Sequence, residues 1–446
     1  MSEFDIFIEG GTVVTLDPEW RVVEGDVLVR GGKIHAIAEH GKLKPKPGAR
    51  TVDARGCFVL PGFVQPHVHL CQALFRGFAE DLPLLEWLSQ YIWPFEGAHT
   101  PQSLRASARL GLAELMLGGT TAALDMGTVH HTDVIFEEAG ESGFRLISGK
   151  AMMDMGQGRP AGLRETTAES LAESRRLAER WHGAEKGRLG YAFAPRFILS
   201  CSDELMRETV RAARELGCLL HTHASENPGE VEAVRAATGK DNIEALHDLG
   251  VSGPDVVLAH CVWLTSNEQR LLRETGTRVV HCPSANLKLG SGVARIPELL
   301  EQGISIGMAA DGAPCNNRLS AFSEMRLAAL LQKPRLGTAA FAARDVLRMA
   351  TLGGAEVLGL DGITGSLEKG KRADVIVVDG NRPHLRPRTD PYTTLVYAAE
   401  SADVRHVFID GQWLVRDRRL VRSEIEEILD EAEQQIAGVL ERSGVG

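Results

Sequence analysis

The residues best suited to chemistry fall in four short groups, each closing an apolar run: Pro66-His67-Val68-His69, His221-Thr222-His223-Ala224-Ser225-Glu226, His260-Cys261 and Ala309-Ala310-Asp311-Gly312. On a strand, side chains two apart share a face, so His67 and His69 aim two imidazoles at one point. Alone, such a pair is a weak signal. His223 and Asp311 would complete a set of three nitrogens and a carboxylate oxygen, which suits one Zn2+, with Fe2+ as the alternative, and leaves a position open for water. A bound Zn2+ lowers the pKa of its water to about 7 and makes hydroxide available at neutral pH. Something must then move protons. Glu226, three residues after His223, is the candidate general base and acid. His260 is the candidate to polarise the centre under attack, and Asp311 can share the proton traffic while ligating. His221 lies on the same strand face as His223, so direction alone does not separate them; the spacing to Glu226 favours His223. His281 is a further strand histidine, and lone histidines are usually satisfied core or surface groups.

These groups need a scaffold that gathers strand ends. Between residues 61 and 365 helix and strand patterns alternate, which favours a parallel sheet with crossover helices. Strands are expected from Phe63, then at Thr120 to Asp125, Phe144 to Ser148, Leu189 to Ala194, Leu219 to His221, Val256 to His260, Arg278 to His281 and Ile304 to Met308. Helices are expected over Leu104 to Leu117 and Ala168 to Trp181. Eight strands suit an α/β (β/α)8 barrel, whose catalytic side chains collect at the strand C-termini. An open doubly wound sheet would alternate in the same way, and strand count is the discriminator. Residues 1–60 and 366–420 instead read as short strands stopped at glycine turns, as in Asp26 to Gly32 and Ala373 to Gly380. Both ends are expected to form one small β-sandwich around the inserted barrel. Residues 421–446 carry Ile425, Ile428, Leu429, Ala432 and Ile436 at helical spacing and read as an amphipathic surface helix.

Composition narrows the partners. A net charge of -11, without a Lys/Arg run, argues against a nucleic-acid surface and for a small-molecule substrate. Seven cysteines without a Cys-x-x-Cys fit free thiols in a reducing compartment. The amino terminus shows no basic region followed by an apolar one, and no run of about 18 apolar residues follows. A cytoplasmic protein with no membrane span is therefore expected.

Taken together, Pro61-Gly62-Phe63-Val64-Gln65-Pro66-His67-Val68-His69, His221 to Glu226, Ala259-His260-Cys261, Asp311-Gly312, Ala350 to Ala355 and Gly365 to Asp374 resemble the metal-dependent amidohydrolase superfamily, in its mononuclear aminohydrolase branch. The resemblance covers nearly the whole chain. It implies a distorted (β/α)8 TIM barrel, a metal on His67, His69, His223 and Asp311, and Glu226 and His260 in the roles argued above. Two-metal members carry a carbamylated lysine on strand four. Leu189 to Ala194 has none, and Lys150 lies near the end of strand three, so one metal per subunit is expected. Family members are often dimers or larger, which implies a homo-oligomer.

Ser284 to Leu289, Asp311 to Asn317 and Glu324 to Ala329 are similar to the deaminases of S-adenosylhomocysteine, methylthioadenosine and 5'-deoxyadenosine, as is Asp81 to Trp87 running on to Glu96. That likeness implies Trp87 packing on a nucleoside and Glu96 holding ribose hydroxyls. An aromatic plane beside a carboxylate suits a flat base carrying a diol. Ala194-Pro195-Arg196-Phe197 departs from that pattern and looks like guanine deaminase, where such an Arg-Phe pair and a glutamine, here Gln72, grip the base. Arg196 offers a rigid fork of donors and Phe197 an apolar face. The expected activity is zinc-dependent hydrolytic deamination of an aminopurine, foremost a 5'-modified adenosine. Guanine or 8-oxoguanine is second, and s-triazine deamination or dechlorination third. A ring-opening cyclic amidase and an inactive ligand-binding metalloprotein stand outside this class, and the intact Glu226 and His260 count against the inactive case.

Overall fold

A computed structural model describes residues 5–156 and 158–445. Its two sheets divide the chain. Ile6–Val14, Val22–Arg30, Lys33–Glu39, Arg50–Asp53 and Cys57–Pro61 join Val375–Asp379, Val404–Ile409, Gln412–Arg416 and Arg419–Leu420 in one nine-stranded sheet. The seam between the chain ends is antiparallel, with Pro61 opposite Val375 and Cys57 opposite Asp379. The expected sandwich is thus a single hydrogen-bonded sheet folded about its own core of Ile8, Val27, Val59, Val375 and Phe408.

The second sheet is a distorted TIM barrel of eight parallel strands. In order they are Phe63–His69, Thr120–Met126, Arg145–Gly149, Leu189–Pro195, Leu219–Ala224, Val256–His260, Arg278–His281 and an interrupted eighth strand, Ile306–Met308 with Asp311–Gly312. Its two halves have different neighbours. Ile306–Met308 pairs with the seventh strand, while Asp311–Gly312 pairs with the first, Asp311 opposite Val68, and so closes the ring. Strand side chains alternate between two cores: Val64, Leu124, Ala192, Val257 and Val280 fill the lumen, and Phe63, Phe193, Leu220, Leu258 and Val279 meet the outer helices.

Local chemistry sets the helix starts. Thr100 with Ser103 caps Pro101–Leu117, and Thr166 with Glu169 caps Thr167–Trp181, each a reciprocal capping box that satisfies free N–H groups. Ile425–Ser443 packs on Pro101–Leu117 through Ile428, Ala432 and Val439, with Arg109 bonded to Glu431 at 2.5 Å. Leu429, counted in the apolar stripe above, points outward at 48 % exposure. Pro61-Gly62 carries the chain from sheet to barrel. A Cβ on Gly62 would lie 2.1 Å from Thr121 Cγ2, so only glycine allows this approach.

Two buried contacts tie the sheets together. Arg145, at the start of the third barrel strand, forks onto Asp374 at 2.9 and 3.2 Å and reaches Asp410 at 2.9 Å. No helix among the described residues is long and apolar enough to cross a membrane.

Candidate active site

His67 and His69 end the first barrel strand, His223 lies near the end of the fifth, His260 ends the sixth and Asp311 opens the second half of the eighth. The barrel brings all five together. His67 Nε2 stands 3.2 Å from Asp311 Oδ1, His69 Nε2 3.3 Å from the same oxygen, and His69 Nε2 3.3 Å from His223 Nε2. Two ligand atoms each about 2.1 Å from one tetrahedral ion lie about 3.4 Å apart, so these spacings fit a shared cation.

Hydrogen bonding on the far side of each ring sets the tautomer. His69 Nδ1 donates to the Met126 carbonyl at 2.8 Å and His223 Nδ1 to the Arg196 carbonyl at 2.7 Å, because a carbonyl only accepts. Both Nε2 atoms therefore present lone pairs. His67 is set by a longer relay: His221 Nδ1 donates to the Val257 carbonyl at 3.0 Å, so His221 Nε2 must accept from His67 Nδ1 at 2.8 Å. His67 Nε2 is left buried with no hydrogen-bond partner. Burial holds His67, His69 and His223 below the usual histidine range, His69 at about 4, which keeps them neutral. Three neutral imidazoles and one carboxylate with converging lone pairs fit a divalent metal ion.

Glu226 faces the same space. Its Oε2 lies 3.5 Å from His260 Nε2 and its Oε1 is buried without a partner. Burial, then Asp311 and Glu230, push its carboxyl well above the usual range, so it is poised to carry a proton. Its backbone N–H donates to Glu230 at 2.7 Å, and Asn286 Oδ1 accepts from His260 Nδ1 at 2.8 Å. Backbone strain gathers here: Ser225, His260 and Asp311 hold φ of 52°, 75° and 65°, the left-handed region that costs a non-glycine residue about 1–2 kcal/mol.

A cavity open to solvent lies above these groups, with about 440 Å3 of space free of protein atoms, solvent at its mouth included. Gln72, Trp87, Arg196 and Phe197 line it with Leu84, Leu88 and Leu289. Glu96 sits differently from expectation. It is absent from the lining, and its carboxylate bonds Arg196, at 3.2 Å through Nη2 and more closely through Nη1, and Gln72 at 2.8 Å. Gln72 Oε1 stays buried and unpartnered. Lys150 is buried on Glu165 at 2.6 Å. Cys282 has Sγ within 4.8 Å of His67 and Asp311 ligand atoms, but burial and Asp311 raise its thiol well above the usual range, which disfavours a thiolate ligand.

Residues 58–414 match the Amidohydrolase family. The chain belongs to the amidohydrolase family. It is 38% identical over 433 residues to a 5'-deoxyadenosine deaminase of Methanosarcina mazei, covering 96% of this chain and 97% of that one. It is 39% identical over 432 residues to a 5-methylthioadenosine/S-adenosylhomocysteine deaminase of Syntrophobacter fumaroxidans, with coverage of 96% and 97%. The structure of an adenosine deaminase from Xanthomonas campestris with bound zinc superposes at a TM-score of 0.92, with 32% identity and 98% of each chain covered.

Three members of this amidohydrolase site were not singled out from sequence. His221 was weighed only as a rival ligand; its place behind His67 follows the strand alternation that made it a rival. Glu230 had a legible signal in Asn227-x-x-Glu230, the helix-capping pattern. Asn286 had none.

Proposed function

We propose that this amidohydrolase is a zinc-dependent hydrolytic deaminase of an aminopurine, with a 5'-modified adenosine such as 5'-deoxyadenosine, methylthioadenosine or S-adenosylhomocysteine as substrate. The observation that carries the reading is the buried Glu226, its Oε1 without a partner, beside four converging donor atoms at the foot of a cavity walled by flat and apolar side chains. The full-length likeness to deaminases supports the substrate class.

His67, His69, His223 and Asp311 would hold one cation per chain, and Lys150, spent on Glu165, supports a single ion. When bound, zinc supplies Lewis acidity and lowers the pKa of a coordinated water to about 7. Glu226 takes the proton lost as water adds to the amine-bearing carbon, gives it to the ring nitrogen, and then serves the departing amine, so ammonia leaves and a carbonyl remains. His260, fixed by Asn286, hydrogen-bonds the oxygen that adds. Trp87 and Phe197 pack the ring. Arg196 and Gln72 present polar atoms to its edge, and Glu96, hydrogen-bonded to both, holds them in place.

A second reading, guanine or 8-oxoguanine, is favoured by the Arg196-Phe197 pair with the unpartnered Gln72 Oε1 at the cavity. An ammonia-release screen of zinc-loaded protein against adenosine, 5'-deoxyadenosine, methylthioadenosine, S-adenosylhomocysteine, guanine, 8-oxoguanine and melamine separates these. Highest kcat/KM on a 5'-modified adenosine is expected; preference for a free base sinks the nucleoside assignment, and turnover of melamine alone sinks both. We also infer a cytoplasmic homo-oligomer, supported by seven buried free thiols and the family likeness, which light scattering tests.

A further inference from the structure

A second concavity opens at the other end of the barrel, where the segments entering the third and fourth strands meet the nine-stranded sheet. It is a broad cleft open to solvent, wider than the catalytic cavity. Its cations are Arg50, Lys186, Arg188, Arg372, Arg416 and Arg422, against only Glu185 and Asp410. This excess stands on a chain whose net charge is -11. The acids are already engaged: Asp410 takes Arg145 at 2.9 Å and Arg372 at 3.5 Å, and Glu185 takes Arg188 at 3.0 Å.

What remains unsatisfied is entirely donor. Arg188 Nε and Trp413 Nε1 are buried without hydrogen-bond partners, and the Arg188 side chain is only 12% exposed. Lys186 has no ion pair among the described residues. Arg422 donates to the Glu141 carbonyl at 2.9 Å and to Gln412 Oε1 at 3.0 Å but has no carboxylate partner among the described residues, and burial, then the neighbouring Arg188, lowers its guanidinium pKa. At the rim Glu185 and Lys186 hold left-handed φ of 51° and 60° between Gly183 and Gly187, a tight turn that puts Lys186 in the cleft lining with Arg188. The indole of Trp413 carries the Arg50 guanidinium 5.7 Å from its ring centroid and that of Arg416 at 5.1 Å. Its faces are therefore covered, and the cleft offers guanidinium edges rather than a platform for a base.

We propose that this cleft binds a multiply charged phosphate anion, a pyrophosphate or triphosphate group, through Lys186, Arg188, Arg422 and the Trp413 N–H. Guanidinium forks match phosphate oxygens two at a time, and a chain of phosphates supplies the several charges that one carboxylate does not. The site is independent of the catalytic reading, and failure of one leaves the other standing.

Titration calorimetry of the metal-loaded full chain with tripolyphosphate tests this. One saturable site per chain is expected, weakened at least tenfold in Arg188→Ala/Arg422→Ala and progressively weakened by added NaCl. Heat from metal chelation at the catalytic end persists in that variant and is subtracted by it. Lys186→Glu, at an exposed position without an ion pair, guards against misfolding of the double variant and should weaken binding at least threefold. ATP run in parallel separates sources: affinity equal to tripolyphosphate assigns recognition to the phosphate chain, and tighter binding adds a nucleoside contact, both in support. No saturable binding at low millimolar concentration, or binding indifferent to both variants, overturns the proposal.

Discussion

The two concavities of the barrel differ in chemistry. At the catalytic end the buried polar atoms without partners include the acceptors His67 Nε2, Gln72 Oε1 and Glu226 Oε1 as well as the donors Trp87 Nε1 and Asn286 Nδ2, whereas at the far end Arg188 Nε and Trp413 Nε1 are donors. Buried polar groups left unpaired cost stability, so they persist where a ligand completes them. Lone pairs converging between neutral imidazoles await a cation, and N–H groups among guanidiniums await an anion. The same strands serve both. The fourth begins beside Arg188 and leads to Arg196 at the catalytic cavity.

The sharpest way to break this contrast is at Glu226. Glu226→Gln should lower kcat on the best substrate by on the order of 10⁴-fold, the upper range of acid–base catalysis, with metal content unchanged. Ammonia release with metal analysis reads both, and undiminished turnover would remove the proton carrier. Arg145 ties the barrel to the nine-stranded sheet beside the cationic cleft through Asp374 and Asp410. Arg145→Ala leaves Asp374 buried and unpaired, so unfolding free energy should fall by about 3–4 kcal/mol, measured by denaturant titration.

Glu324 tests whether the catalytic end stores cost. Burial lifts its carboxyl to about 7 from an ordinary 4.5, although Ser284 and Asn316 hydrogen bonds pull it down. The folded state then holds its proton longer than the unfolded chain. Its contribution to stability is greatest below pH 4.5, declines as pH rises through about 7, and is fully lost above, a difference of about 3 kcal/mol. Stability of the wild type relative to Glu324→Gln, followed across that window, should show this decline; a flat difference refutes it. The smallest effect belongs to His221. His221→Ala frees His67 to adopt the other tautomer, and zinc affinity should drop roughly 10–100-fold in a competitive chelator titration. Unchanged affinity would show that the relay does not set the lone pair.

Much of this was legible in the chain. Pro66-His67-Val68-His69 on a strand fixes two rings on one face whatever surrounds them, and the alternation of apolar runs with capped helices dictates crossover-linked parallel strands. Glycine turns at both chain ends marked the strands of the nine-stranded sheet. The likeness of the quoted motifs to the amidohydrolases carried the family. Local spacing and periodicity are properties of the covalent chain, so sequence determined the strands, the three helices it singled out and the residue types that could ligate.

Tertiary structure decided what those types do. His221 and His223 are equivalent by alternation; only the neighbouring carbonyl of Val257 makes one a relay to His67, while that of Arg196 turns the other toward the ion. Glu96 and Arg196 are 100 residues apart, and their pairing, which turns a carboxylate away from the cavity lining, exists only once the barrel closes. The cationic cleft draws on both chain ends and the barrel between them, so no local reading could assemble it. Partners distant in sequence meet by packing, and the direction of a lone pair or the sign of an unpaired group is set by whoever stands opposite.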